Sequence, residues 1–461
     1  MKHQQPRLKM REQDACLRQE NFLEVALGYS LEEARQEAMR CIDCKNPRCV
    51  AACPVKVKIP EFIKYLLEDA LDQAFETIYE DNILPSICGR VCPQESQCEG
   101  ACILAIKGES VSIGALERFV GDYGMEHSLA KKPVEESNGR KIAVVGSGPA
   151  GLANAASLRK KGYEVTIYEA LHDFGGVLKY GIPDFRLPKD IVTNEINNLK
   201  DLGVKFVKNA VIGKSITIDQ LFQSGYEAIF IGSGAGLPSA LGVPGENLNG
   251  VYYANEFLTR VNLMKSRVNN LTKTPMKLGD NIAVVGGGNV AMDAARTAKR
   301  LGAKNVFILY RRDKDSLPAR LEEIHHAEEE GIDFRLLTNP VEIIGEDRVV
   351  KQVRCEIMKL GEPDTSGRRR PLPTGEYITY HIDNIIISIG QKPNPILKEN
   401  TIGLDTQPWG GILTNQYQMT SIPGVFAGGD VVTGAATVIL AMGAGKDAAH
   451  HMHEYLLTKH N

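Results

Sequence analysis

The chain has 461 residues and a formal net charge of −3, with 24% charged residues. This length predicts about three domains, and the slight acidic balance argues against a nucleic-acid-binding surface. No stretch approaches the roughly 18 apolar residues of a membrane span, and the charged N-terminus does not resemble a signal peptide. We therefore expect a cytoplasmic protein that acts away from membranes and nucleic acids.

Residues 1–40 are rich in charged side chains and are predicted to be helical. Ser30 and Glu33 have the spacing of a capping box, in which each side chain bonds the other residue's backbone N–H at a helix start. We expect the helix that follows to position the cysteine-rich segment that comes next.

Eight of the ten cysteines lie in two groups between residues 41 and 102. A reducing cytoplasm favours metal binding over disulfides for such thiols. Two Cys-Pro steps, Cys53-Pro54 and Cys92-Pro93, are typical of ferredoxin-like loops that hold [4Fe-4S] clusters. Structural zinc is the alternative, although zinc sites favour repeated C-x2-C pairs and one such pair is present. Spacing alone would use eight ligands: Cys41, Cys44, Cys49 and Cys53, then Cys88, Cys92, Cys98 and Cys102.

The segments around the second cysteine group carry structural signals. An apolar stripe with the helical period predicts one core helix over residues 60–80, with Pro60 in its first turn. Residues 121–140 are charged and include Pro, Ser, Asn and Gly, which predicts a linker.

A dinucleotide-binding pattern begins at Lys141. A short apolar strand leads into three glycines at G-x-G-x-x-G spacing, then an alanine-rich helix and a second strand that ends at Glu169. The glycines permit a tight turn, close approach of a pyrophosphate and close helix–strand packing, and an acid about 20 residues later binds a ribose hydroxyl. The three glycines are Gly146, Gly148 and Gly151.

A second pattern of this kind begins at Asn281 and has the G-x-G-x-x-A form. Its second strand ends in Arg311 and Arg312 instead of an acid. Guanidinium groups there pair with a 2′-phosphate, so the predicted ligand is NADPH rather than NADH. The alternative is a pair of solvated arginines at a strand end. The residues of the turn are Gly286, Gly288 and Ala291.

The C-terminal segment contains an F-A-G-G-D turn at residues 426–430, followed by a small-residue helix predicted over 435–449. In flavoproteins with two dinucleotide folds, the Asp of this turn, here Asp430 after Gly429, faces the ribityl and pyrophosphate of FAD. The first fold is therefore predicted to bind FAD, and a loop with Gly176 is predicted to lie against the flavin ring. The second fold is predicted to be an inserted NADPH domain.

Two further groups of residues are not expected to carry chemistry. The basic run at residues 368–370 is predicted to be a hairpin turn. His325 and His326 lie on a Glu-rich stretch and are predicted to occupy a solvated helix face.

These elements predict an α/β fold with two Rossmann-like dinucleotide-binding domains, the NADPH domain being inserted in a discontinuous FAD domain, preceded by a helical domain with two [4Fe-4S] clusters. The predicted boundaries are an iron–sulfur domain at 1–140, an FAD domain at 141–237 and 388–461, and an NADPH domain at 238–387.

The cysteine motifs, the V-V-G-S-G-P-A-G fingerprint, Y-R-R-D and F-A-G-G-D together resemble the small (beta) subunit of NADPH-dependent glutamate synthase over nearly the whole length. The architecture is also similar to the large subunit of electron-bifurcating NADH-dependent ferredoxin:NADP oxidoreductases and to the N-terminal part of dihydropyrimidine dehydrogenase. The resemblance implies FAD, NADPH and two [4Fe-4S] clusters as cofactors.

The resemblance also implies a particular ligand set. One cluster would be held by Cys41, Cys44, Cys49 and Cys102. The other would be held by Cys53, Cys92, Cys98 and Glu117, the last from an I-G-x-x-[EQ] stretch. Cys88 would then not be a ligand.

The function implied by this resemblance is electron input. NADPH would reduce FAD, and electrons would pass through the clusters to the glutamate synthase large subunit, or to another redox protein, within a hetero-oligomer. The net reaction would make glutamate from glutamine and 2-oxoglutarate. Because the flavin carries the hydride step, no side chain is predicted as an acid–base catalyst. The alternatives are a bifurcating oxidoreductase subunit, a sulfide dehydrogenase or pyrimidine reductase subunit, and a non-enzymatic scaffold with structural clusters.

Overall fold

A computed structural model describes residues 6–130, 135–266, 276, 278–365 and 367–459. Part of the predicted linker, residues 131–134, lies outside the described residues.

Helices dominate the chain before residue 130 and alternate with strands after it. Short 3-10 turns span Gln94–Ser96, Ile103–Ile106 and Lys314–Ser316. The α-helices are α1 Ala15–Arg18, α2 Leu31–Ala38, α3 Arg48–Ala52, α4 Ile59–Leu67, α5 Leu71–Asp81, α6 Pro85–Val91, α7 Ile113–Glu126, α8 Pro149–Arg159, α9 Val177–Tyr180, α10 Lys189–Asp201, α11 Ile218–Gln223, α12 Ala254–Asn262, α13 Asn289–Arg300, α14 Leu321–Glu329, α15 Ile396–Glu399, α16 Asp430–Thr433 and α17 Val438–Thr458.

The strands fall into two parallel sheets and two small antiparallel sheets. They are β1 Lys141–Val145, β2 Glu164–Tyr168, β3 Lys205–Val207, β4 Tyr226–Ile231, β5 Leu237–Pro238, β6 Val251–Tyr253, β7 Asn281–Val285, β8 Asn305–Tyr310, β9 Asp333–Leu336, β10 Thr338–Glu346, β11 Val349–Pro363, β12 Arg369–His381, β13 Asn384–Ile387, β14 Gln391–Lys392 and β15 Val425–Ala427.

Each predicted dinucleotide fold forms one parallel sheet. The first has the order β15-β4-β1-β2-β3 and the second the order β6-β13-β7-β8-β9. The central strands β1 and β7 are apolar and almost fully buried, as expected for strands covered on both faces. Strand β15, from the end of the chain, pairs with β4, so the C-terminal segment completes the first sheet.

The two parallel sheets are joined by the short antiparallel pair β5 and β14. A further antiparallel sheet, β10-β11-β12, packs on the second parallel sheet, where Val353 and Cys355 contact the core face that includes Ala283 and Leu309. The helical segment before β1 shares one hydrophobic core with the first parallel sheet and α17. The cysteine groups are therefore fixed against the first sheet.

The capping box predicted at the start of α2 is present. Glu33 N donates to Ser30 Oγ at 3.2 Å, and Ser30 N donates to Glu33 Oε2 at 2.6 Å. The remainder of residues 6–40 is largely non-helical, contrary to the prediction. Its charged side chains bond distant partners instead of helical neighbours: Arg18, for example, binds Glu329 and Glu330.

Three predicted boundaries are wrong. The helix expected over 60–80 is two helices, α4 and α5, because Asp69 adopts a left-handed conformation (φ 62°) that Asp tolerates better than most residues. The segment expected to be a linker from residue 121 begins with the last turns of α7, whose Val120 and Gly124 are buried. The predicted C-terminal helix begins at Val438, three residues later than expected.

The prediction for His326 is also wrong. His325 is exposed, but His326 is buried, and its Nε2 lies 2.9 Å from Glu12 Oε2 in the N-terminal segment. The Glu-rich pattern concealed this contact because the partner comes from a distant part of the chain.

A pH-dependent stability is expected from Glu195, which is 3% exposed on α10 and accepts a 3.2 Å hydrogen bond from Asn198. Burial raises the pKa of Glu195 to about 8. The unfolded chain loses this proton near pH 4.5, so the stabilising contribution is complete below that pH and is lost as pH rises through about 8. Glu195→Gln should remove this pH dependence of the free energy of unfolding, which amounts to up to roughly 4 kcal/mol over this window.

Urea denaturation of the wild type and Glu195→Gln at several pH values between about 5 and 8 measures this slope. Asp190→Asn, on the exposed face of the same helix, should keep the wild-type slope. Parallel curves for wild type and Glu195→Gln would contradict the assignment.

Candidate functional site

The first glycine turn connects β1 to α8. Gly146 has φ 101°, and a Cβ on it would lie 2.6 Å from Gly232 O. A Cβ on Gly151 would lie 2.0 Å from Gly146 O. Both positions therefore require glycine, because the backbone of the turn packs directly on the next strand and on the helix.

Gly148 differs from its neighbours because no heavy atom lies within 4 Å of the position a Cβ would occupy. This residue caps the N-terminus of α8, where the free N–H groups and the helix dipole favour a phosphate. Gly176, with φ 54°, approaches it from the predicted flavin loop, since a Cβ there would lie 2.9 Å from Gly148 Cα. The space beside Gly148 fits a pyrophosphate.

Glu169 lies at the end of β2 and faces this turn. Its Oε2 accepts hydrogen bonds from Ser147 N at 3.0 Å and Ser147 Oγ at 2.6 Å, and its Oε1 accepts from Leu171 N at 2.9 Å. Glu169 is therefore close to the turn, as predicted. Ser147, which is fully buried, was not predicted from the sequence, because the residue between the glycines of the motif is variable.

The C-terminal turn reaches the same place. Strand β15 lies beside β4, and a Cβ on Gly429 would lie 3.0 Å from Ala150 Cβ in the first turn of α8. Asp430 Oδ1 accepts from Ala436 N at 3.3 Å, and burial raises the pKa of Asp430. The structure thus brings Gly429 and Asp430 to the first glycine turn, as the predicted FAD site requires.

The second glycine turn opens into a cavity of about 840 Å³, within the range of cofactor sites. A Cβ on Gly286 would lie 2.2 Å from Ser388 O, and Gly288 caps α13, where a Cβ would meet only Pro318 Cγ, at 4.0 Å. Ala291 is fully buried against the sheet. Arg311 lines the cavity, but Arg312 is not among the described residues that line it.

Four cysteines of the predicted first cluster line a single small cavity with Ile59 and Ile63 at its base. Burial raises the pKa of Cys49 to about 11 and also raises the pKa of Cys41, with further increases from neighbouring thiols. Four converging thiols form the donor set of a cubane cluster. The four are Cys41, Cys44, Cys49 and Cys102.

The second group converges on Glu117, a buried carboxylate at the start of α7. Burial is the largest cause that raises the pKa of Cys98 and of Cys53. In both thiols the charge of the nearby Glu117 raises the pKa further. The pKa of Cys92 is raised first by its side-chain hydrogen bond with Cys88, then by burial, and then by the charges of Cys88 and Glu117. The structure thus brings together the three thiols and the acid of the predicted ligand set.

Asn82 is fully buried and orients Glu117. Its Nδ2 donates to Glu117 Oε1 at 2.7 Å, and its Oδ1 accepts from Leu84 N at 2.9 Å. Cys88 Sγ, also fully buried, lies 3.6 Å from Asn82 Oδ1 and 3.7 Å from Met442 Sδ of α17. No spacing rule identifies Asn82, because it lies outside both cysteine motifs.

Glu12, Glu322 and His326 form another group of side chains that could hold a metal ion. Arg18 lies 3.5 Å from Glu12, and Arg320 lies 2.8 Å from Glu322. These guanidinium groups neutralise the carboxylates, so the group is an ion-pair network at the contact between the N-terminal segment and α14.

Comparisons with known proteins agree with this geometry. Residues 18–129 match the family described as dihydropyrimidine dehydrogenase domain II, 4Fe-4S cluster, and residues 140–445 match the pyridine nucleotide-disulphide oxidoreductases. The chain is 35% identical to the NADPH glutamate synthase small chain of Azospirillum brasilense, covering 96% of this chain and 94% of that one. It is also 35% identical to the small chain of Escherichia coli, covering 95% of each.

Other relatives are longer proteins. The chain is 38% identical to the beta subunit of an NADP(+)-dependent formate dehydrogenase from Moorella thermoacetica, and it covers 60% of that protein and 88% of its own length. Among solved structures, FprA of Mycobacterium tuberculosis in complex with NADPH has a TM-score of 0.60 and 22% identity, covering 70% of this chain and 85% of that one. The likeness to FprA shows a shared fold alone.

Fold and site together define an NAD(P)H-dependent flavoprotein oxidoreductase with an N-terminal [4Fe-4S] domain. The predicted fold class and the predicted cofactors FAD, NADPH and [4Fe-4S] are confirmed. The chain belongs to the family of the glutamate synthase small chain and its related FAD and 4Fe-4S oxidoreductases. None of the described helices is both long enough and apolar enough to cross a membrane.

We expect Gly148→Val to abolish FAD binding without unfolding the first sheet. A Cβ at this position meets no protein atom within 4 Å, so the valine side chain would occupy the space beside the N-terminus of α8 that is assigned to the pyrophosphate. The flavin absorbance of the purified protein should fall to near zero, while the far-ultraviolet circular dichroism stays unchanged. Gly288→Val is the matched control, and it should retain flavin and lose NADPH binding. Retained flavin in Gly148→Val would contradict the assignment of the first glycine turn as the FAD site.

The resemblance implies that Glu117 instead of Cys88 completes the second ligand set, and on this interpretation we expect Cys88→Ser to keep the full iron content. Cys92→Ser, one helical turn away, should lose about four iron atoms per chain. Iron and acid-labile sulfide analysis of anaerobically purified protein compares the two variants. A loss of about four irons in Cys88→Ser would make Cys88 a ligand.

Proposed function

We propose that the chain is the electron-input subunit of an NADPH-dependent glutamate synthase. NADPH binds beside the second glycine turn, FAD beside the first, and electrons leave through the two cysteine groups to a larger partner subunit in a hetero-oligomer. That partner uses them for reductive transfer of the amide nitrogen of glutamine to 2-oxoglutarate, giving glutamate. A cytoplasmic location is part of the proposal, because clustered reduced thiols suit that compartment.

One observation carries the electron-transfer part of this proposal. Helix α17 begins after the turn that holds Asp430 and contacts the second cysteine group through Met442. Met442 Sδ on this helix lies 3.7 Å from Cys88 Sγ, and Lys446 Nζ bonds Asp81 Oδ1 at 2.7 Å. One helix thus contacts both the turn of the predicted flavin site and the cysteine group of the predicted second cluster.

The residues of the chain have defined tasks in this scheme. Bound FAD would convert a two-electron hydride donor into single-electron steps. The N-terminus of α8 would hold its pyrophosphate, and Glu169 would hold a ribose hydroxyl. Arg311 would bind the 2′-phosphate of NADPH, and Asn82 would orient Glu117 toward the second cluster.

The glutamate synthase proposal rests on two relatives that carry that name and match nearly end to end. The chain covers 94% and 95% of two small chains, but 60% of the formate dehydrogenase beta subunit and 65% of an NADPH-Fe(3+) oxidoreductase beta subunit from Geobacter sulfurreducens. The longer relatives contain regions outside the matched part. A bifurcating oxidoreductase subunit is the competing proposal.

Anaerobic affinity purification from native cells, followed by mass spectrometry, identifies the partner. We expect a very large subunit with an amidotransferase domain, and glutamine-dependent NADPH oxidation only in the complex. The isolated chain should still oxidise NADPH with ferricyanide, because that reaction needs only the flavin. Co-purification of a small flavoprotein of the ferredoxin-reductase kind would replace this proposal with the bifurcating one. Flavin that stays oxidised with NADPH would instead indicate a scaffold.

A further inference from the structure

The hairpin formed by β11 and β12 extends well beyond the sheet that supports it. Strand β10 pairs with β11 from Glu346↔Val349 to Thr338↔Ile357. Beyond this point β11 pairs only with β12, from Met358↔Pro373 to Pro363↔Arg369. The outer part is mostly exposed on both strands, so packing into a core does not explain why it is there.

The direction of this extension follows from the topology. Strand β10 begins at Thr338, one residue after the C-terminal end of β9. Thr338 pairs with Ile357 of β11. The part of β11 after Ile357 therefore projects beyond the C-terminal ends of the parallel strands. This is the edge at which open parallel sheets bind their ligands.

The described residues on either side of the hairpin turn are held by hydrogen bonds, and one of them lines the cavity. Arg368 N donates to Asp364 Oδ1 at 3.1 Å, Asp364 N donates to Arg368 O at 2.9 Å, and Gly367 has φ 77°. Arg369 Nε bonds Gly361 O at 2.9 Å within the hairpin. Arg368, in contrast, lines the 840 Å³ cavity together with Arg311.

The topology brings both arginines to the β8 and β9 side of the cavity that they line. Arg311 follows β8, and the hairpin follows β10, which comes directly after β9, the outer neighbour of β8 in the sheet. The pyrophosphate position, at the N-terminus of α13, is served by backbone N–H groups instead. No carboxylate in the described part of the chain pairs with the Arg368 guanidinium, so its charge is available to a ligand.

From this geometry we propose that Arg368 is the second cation that binds the adenosine 2′-phosphate of NADPH. The inference rests on the proposed NADPH site, and it replaces Arg312, which is not among the described residues lining the cavity. A phosphate monoester carries close to two negative charges, and two guanidinium groups can bind it with charge-assisted hydrogen bonds. NADH lacks this group, so the hairpin arginine discriminates between the two nucleotides.

The test uses the isolated flavoprotein with ferricyanide as acceptor. Arg368→Gln should raise the KM for NADPH about tenfold, with kcat unchanged and the KM for NADH unchanged. The inhibition constant of 2′,5′-ADP should rise by a similar factor. Arg370→Gln is the matched control, since it removes the same charge from an exposed position of the same hairpin that does not line the cavity.

Equal changes in the KM for NADPH and NADH, or equal effects of Arg368→Gln and Arg370→Gln, would overturn the inference. Arg311→Gln separates this failure from that of the proposed NADPH site. If Arg311→Gln weakens NADPH selectively and Arg368→Gln does not, only the hairpin inference fails. If neither variant changes the preference for NADPH, the assignment of the cavity itself fails.

Discussion

The arrangement of the whole chain depends on a buried carboxylate, Glu330, at the end of α14. It bonds the guanidinium groups of Arg296 and Arg300 on α13 and that of Arg18 in the N-terminal segment. Burial alone would raise the pKa of Glu330, but Arg300 and Arg296 lower it to about 2. Because removal of one member would leave an uncompensated buried charge, such a network is costly to break. It ties the start of the chain to the helices behind the second glycine turn.

A second set of contacts joins the two dinucleotide folds. Arg186, in the loop after the predicted flavin contact, binds Asp293 Oδ1 and Oδ2 at 2.9 and 2.7 Å, and also binds Glu323 at 2.9 Å. The neighbouring Phe185 ring is covered by two guanidinium groups at 4.8 and 4.0 Å, those of Arg296 and Arg300. These contacts fix the second glycine turn relative to the first. Productive hydride transfer needs that fixed geometry, because the nicotinamide and flavin must meet face to face.

The features that sequence could predict are those encoded within a few residues. Glycine spacing identified both turns, and Cys-Pro steps identified the iron–sulfur segment, because short loops around a phosphate or a cluster constrain neighbouring positions directly. Asn82, Ser147 and Arg368 could not be found this way. Asn82 and Ser147 bond side chains from other segments, Arg368 lies at the cavity only because of the hairpin, and His326 is buried by a distant segment. The break at Asp69 was missed for a different reason, since a left-handed residue interrupts the helix without changing the apolar period.

The small residues of helix α17 allow close contacts with two neighbouring segments. A Cβ on Gly445 would lie 2.1 Å from Ala150 O, and one on Gly443 would lie 3.5 Å from Pro54 O. The helix therefore touches α8, which carries the first glycine turn, and the Cys-Pro step of the first cysteine group. A side chain at Gly445 would displace Ala150, whereas a Cβ at Gly443 would make an ordinary contact with Pro54. The small residues therefore let one helix pack against both the segment of the first glycine turn and the Cys-Pro step, and Met442 of the same helix contacts Cys88.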